Sequence, residues 1–241
     1  METKNKLNIK NLFIIVKDEF RYSMKIIFGN KFIYFLLASV IFFLIVTTIN
    51  LFSTSDFSEG GVYYLLLFPG ILLIFYPTAF GIQNDDDMRM LENLFAIPNY
   101  RFKVWLPRLG MIYILVFILL TFLAALSAFA LTPVSVFKMV YELMFPIFFL
   151  GSLAFAVSTV VKNGNGTAVI MVIIGLIFWI SSGILEGSKW NIFLNPFFLP
   201  RDMNEAIWES VITTNRLYLL SATILSLLYG LLNLQKREKF I

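Results

Sequence analysis

The sequence predicts an all-α membrane protein of six transmembrane helices, preceded by an amphipathic interfacial helix and with both termini in the cytoplasm. Three observations predict it. Of 241 residues, 59% are hydrophobic and 14% charged, against about 45–50% and about 25% in an ordinary soluble domain. The apolar residues gather into six runs of 18–23 residues, each long enough to cross about 30 Å of hydrocarbon. With the N-terminus placed inside, 15 of the 19 Lys and Arg fall on the inner segments, the bias that orients membrane proteins. The same composition excludes a soluble enzyme, a secreted disulfide scaffold and a disordered chain. The net charge of +4 is a sidedness signal and not a nucleic-acid footprint.

Residues 1–31 read as a cytoplasmic N-terminus that carries the first helix. Ile9, Leu12, Phe13, Val16, Phe20, Met24 and Ile27 share one helical face, flanked by Lys10, Lys17, Arg21 and Lys25. Such a helix lies in the headgroup region with its cations near anionic lipid, and Gly29-Asn30 turns the chain into the first span. The first long apolar run begins at residue 32 and is span-length, so it is expected to be retained and not cleaved as a signal.

The six-helix domain occupies residues 32–234, with spans near Phe32–Phe52, Val62–Ile82, Leu109–Leu131, Val140–Val160, Ala168–Leu185 and Leu217–Leu234. Its first inner loop, 84–108, opens with Asn84-Asp85-Asp86-Asp87, residues suited to a helix N-terminus. Met88, Met90, Leu91, Leu94, Phe95 and Ile97 then occupy one half of a helical wheel, Arg89, Glu92 and Asn93 the other, and Pro98 ends the helix. So short a helix must bury its apolar face on the membrane surface or in a partner's groove. The long outer loop, 186–216, carries Trp190, Phe193, Pro196, Phe197, Phe198, Pro200 and Trp208. It reads either as interfacial or re-entrant segments or as an aromatic belt on a solvated loop. Gly183 and Gly187 have the spacing of a helix-packing motif. Residues 235–241 form a basic inner tail.

The missing residue types narrow the chemistry. The chain has no Cys and no His, hence no disulfide, no Cys/His metal site, no thiol nucleophile and no imidazole base. A prenyltransferase-like enzyme would need carboxylates three or four residues apart on one helical face. The residues at those spacings from Asp85 are Met88 and Arg89, which favours a solvated, helix-capping charge run. The spans read as nearly bare of ionisable groups, with Glu142 close to an outer end, Glu186 just beyond one and Arg216 in the outer loop, so nothing resembles a proton relay. There is no G-x-x-x-x-G-K-[ST] phosphate loop. An active role would need energy from another subunit. A passive channel or a membrane scaffold without an ATPase is the competing expectation, though no ring of charges marks an ion filter.

The order of these features resembles the membrane subunit of an ABC-2 type transporter, along essentially the whole chain. The resemblance rests on the basic amphipathic helix with Lys17-Asp18-Glu19-Phe20-Arg21, on six spans, and on Leu91, Glu92, Leu94, Pro98 and Arg101. These five fall on the family's L-E-x-L-x-x-x-P-x-x-R coupling stretch; Met90 stands where members often have Gly. Lys162-Asn163-Gly164-Asn165-Gly166-Thr167 is similar to the family's turn between spans four and five, and the outer loop to its re-entrant helices. The resemblance implies an elbow helix at the membrane surface (Lys10, Lys17, Phe20, Arg21, Lys25). It implies an ATPase-coupling surface of Asp87, Met88, Leu91, Glu92, Leu94, Phe95, Pro98, Arg101, Lys162 and Asn163. The implied partners are an ATP-binding-cassette ATPase, a second permease copy or paralogue, and membrane lipid. This chain is then expected to bind no cofactor and catalyse nothing itself, ATP and Mg being held by the partner. The implied role is an exporter or floppase of a hydrophobic or amphipathic substrate in a bacterial cytoplasmic membrane.

Overall fold

A computed structural model describes residues 31–52, 57–87 and 100–234. Six helices long and apolar enough to cross a membrane make up most of this: α1 (Phe32–Leu51), α2 (Glu59–Asp87), α3 (Arg101–Ala130), α4 (Val136–Val161), α5 (Gly164–Ile184) and α6 (Glu205–Asn233). No strand occurs among the described residues. The chain is thus a multi-pass membrane protein by the length and composition of its helices. The elbow residues Lys10, Lys17, Phe20, Arg21 and Lys25, the loop residues Met88, Leu91, Glu92, Leu94, Phe95 and Pro98, and the basic tail lie outside the described residues.

Each apolar run coincides with one helix, but five helices outrun their runs. α2 continues to Asp87, α3 begins at Arg101, α4 and α5 each start four residues early, and α6 begins at Glu205, twelve residues before the run at Leu217. Hydropathy marks the stretch that matches hydrocarbon, whereas the helix persists wherever its backbone bonds are kept and its polar side chains find partners. α2 is bent at Phe80, between Glu59–Ala79 and Gly81–Asp87. Pro77 withholds one backbone donor just before the bend, and the Thr78 hydroxyl donates to the Ile74 carbonyl at 2.7 Å. α3 opens with a π-helical turn, Arg101–Trp105. It ends two residues before Pro107, whose missing N–H would otherwise have bonded four residues back, to Lys103.

α2 and α4 form the centre. Of the apolar window of α2, 72% is buried, against 11% for α5. Small residues let the two central helices approach. A Cβ added at Gly70 would stand 2.4 Å from Ile147 Cδ1, and one at Gly151 would stand 2.5 Å from Ile74 Cγ1. Leu66, Leu73 and Ile74 of α2 meet Val116 and Leu120 of α3 and Leu143 and Ile147 of α4 in the core. α6 packs along α4, where Gly230 accepts the Phe155 ring. α1 lays Ser39, Phe43 and Thr47, one turn apart, inward against the bundle. Three caps end the connections: Ser58 accepts from Gly61 N at 3.2 Å, Asn163 from Gly166 N at 3.1 Å and Asn204 from Ile207 N at 2.8 Å. Lys162 closes α4 in the left-handed region, with φ 62°.

Candidate functional site

The chain enters at Lys31 and leaves at Leu234 on one end of the bundle, called here the near end. Hydrogen bonds knit the helix termini there. The amide of Lys31 donates to the Tyr76 hydroxyl at 3.2 Å, and the amide of Gly164 donates to Gln83 Oε1 at 2.6 Å. The Tyr100 hydroxyl donates to the Leu234 carbonyl, and Asn233 Nδ2 donates to the Thr159 carbonyl at 2.7 Å. At the centre, Arg108 Nη1 donates to both oxygens of Asp85, at 3.0 and 2.8 Å. Asp85 is 1% exposed. The Arg108 guanidinium also lies 5.0 Å above the buried Trp105 ring, and that ring backs onto Gly81. The two flanks of segment 88–99 are therefore clamped together by a buried ion pair and joined to the start of α5 and the end of α6.

This corrects the reading of Asn84–Asp87. These residues lie within the helix Gly81–Asp87 and do not open one. Asp86 and Asp87 are exposed, as a solvated run would be, but Asp85 is buried and paired. A buried carboxylate needs a compensating charge, and Arg108 supplies it. Of the other expected coupling residues, Asp87, Lys162 and Asn163 are exposed, Arg101 is half-buried, and all four sit at the near end.

The opposite, far end holds a second polar node that sequence reasoning missed. Arg216 belongs to α6 and not to the outer loop, and it is 6% exposed. Its Nε donates to Glu142 Oε2 of α4 at 2.8 Å, its Nη1 to Asn215 Oδ1 at 2.8 Å and its Nη2 to the Leu194 carbonyl at 3.3 Å. The available signal was spacing: Trp208, Asn215, Leu219 and Thr223 recur on one helical face, and all are buried. Nor does the outer segment re-enter as helix. Residues 185–204 run as successive turns, while Phe193, Leu194, Asn191 and Asn195 are buried. Gly183 of the small-residue motif faces open space.

Between α2 and α5 lies an almost wholly apolar cleft of about 500 Å³. Phe68, Ile71 and Phe75 form one wall, Met171, Gly175 and Trp179 the other, with Phe193 at its far end. A concave surface with so few polar groups suits an apolar ligand. Among the described residues no cluster of carboxylates could hold a metal ion.

A class is thereby defined: a six-helix membrane protein with a charged near end, a latched far end and an apolar cleft between. No known protein family, curated protein or solved structure matches the chain.

Proposed function

We propose that the chain is the membrane subunit of an ABC-2 type, ATP-driven transporter that exports or flips a hydrophobic or amphipathic substrate. The observation that carries this reading is the frame at the near end. Asp85–Arg108 joins the flanks of segment 88–99, and Gln83–Gly164 and Tyr100–Leu234 tie that frame to α5 and α6. A push on the segment would then reach several helices together. The frame carries the basic side of the chain, so positive-inside bias assigns it to the cytoplasm. The chain has no phosphate loop, and ATP and Mg belong to a separate ATPase.

In this reading Met88, Leu91, Leu94 and Phe95 seat in a groove of the ATPase, and Glu92 and Arg101 set the register by charge. Asp87, Pro98, Lys162 and Asn163 border the contact. The elbow residues Lys10, Lys17, Phe20, Arg21 and Lys25 anchor the subunit at the membrane surface. A second copy or a paralogue completes the pathway, in a bacterial cytoplasmic membrane, and the cleft between α2 and α5 receives the apolar part of the substrate. The test is Leu94→Asp with Phe95→Asp. The unaltered chain should co-purify with its ATPase and stimulate it, and the variant should lose both. Normal co-purification and stimulation by the variant would sink the coupling assignment.

A further inference from the structure

We propose that residues 191–197 are a lid over the far end of the apolar cleft, and that Asn215 and Arg216 of α6 are its latch. Phe193 is 4% exposed, it lines the cleft, and its ring lies 6.1 Å from that of Trp179. This stretch belongs to no helix or sheet, and three side chains of α6 hold its backbone. Asn215 Nδ2 donates to the carbonyls of Lys189 and Asn191 at 2.9 and 2.8 Å. Arg216 donates to the Leu194 carbonyl, and the Trp208 indole N–H donates to that of Pro196 at 3.3 Å. From the lid itself, Asn195 Nδ2 donates to the Gly60 carbonyl at 3.0 Å, which fastens it to the start of α2. Within the lid, Asn191 and Asn195 each accept from the amide two residues on, at 3.0 and 3.1 Å.

Such a segment has few bonds of its own to keep it in place once its pins are removed. It opens as a unit while the helices below stay folded. Glu142 aims Arg216 from α4, so the latch fastens the lid to α4 and α6, while Asn195 and Asn191 tie it to α2 and α5, the walls of the cleft. A shift of α6 against α2 strains the pins and uncovers Phe193. Closed, the lid seals the cleft from water at this end. The inference rests on the transporter reading only in assigning the far end to the outer face.

The test uses the full chain in phospholipid nanodiscs, without ATP or any ATPase. Two variants unlatch the lid: Asn215→Leu, and the pair Glu142→Gln with Arg216→Gln, which leaves no buried charge unpaired. Hydrogen exchange of the amides in 191–197 should quicken at least tenfold in both, with the core amides of α2 and α4 unchanged. The chain has no Cys, so Gly175→Cys places a single thiol in the cleft, at a point with nothing within 4 Å. Its reaction with a cationic methanethiosulfonate should be slow in the otherwise unaltered chain and at least tenfold faster with Asn215→Leu. Lid exchange at the original rate in both variants overturns the latch, as does a general rise across α2 and α4 in both. A released lid over an equally unreactive Gly175→Cys thiol overturns the closure. A chain that passes these tests yet binds no ATPase would overturn the transporter reading alone.

Discussion

Arg108 and Arg216 stand at opposite ends of the bundle, each nearly buried and each with a carboxylate oxygen 2.8 Å away. Neither pair follows from local sequence, because the partners are 23 and 74 residues apart. A lone arginine near a span reads as a boundary charge, and only the folded chain turns it into a buried ion. Breaking such a pair by removing one member leaves an uncompensated charge, which costs about 3–5 kcal/mol, whereas apolar replacement of both is often neutral. Asp85→Asn is therefore expected to lower the thermal unfolding midpoint clearly. Asp85→Leu combined with Arg108→Met should recover most of that loss. If the double variant is instead destabilised by the sum of its parts, Asp85 and Arg108 do not act as a pair.

At the scale of the element, the six apolar runs were legible because hydrocarbon imposes one length and one polarity on anything that crosses it. The ends were not, because the extra turns of α2, α3 and α6 carry polar residues that depend on tertiary partners. The outer segment shows the reverse error. Its aromatics and prolines read equally well as interfacial or re-entrant segments or as an aromatic belt on a solvated loop, yet 185–204 is a chain of turns, held by side chains such as Asn215 that lie beyond it. Helix contacts separate glycines of identical appearance. Gly151→Val should destabilise by about 1–3 kcal/mol, since the added Cβ meets Ile74. Gly183→Val, in open space, should leave the unfolding midpoint close to that of the parent. Equal effects at the two positions in a thermal melt would contradict the α2–α4 packing described above.

For the whole molecule, sidedness is the property on which the functional reading depends. The Cys-free sequence allows single-thiol topology mapping at exposed positions on the two ends. Asn163→Cys should be labelled by an impermeant maleimide only from the cytoplasmic face, and Arg201→Cys only from the outer face. The opposite pattern would invert the orientation and remove the near end from contact with any cytoplasmic ATPase. What the sequence by itself determined was the membrane class, the number of spans and the uneven distribution of charge. Each of these follows from residue type against a uniform solvent and needs no knowledge of neighbours. The tertiary structure alone decided that Asp85 and Arg216 are buried ions and that the outer segment is pinned over an apolar cleft. It also decided that α2 and α4 form the core while α5 stays largely exposed. These depend on which helix faces which, and in spans apolar on every side, periodicity carries almost no information about facing.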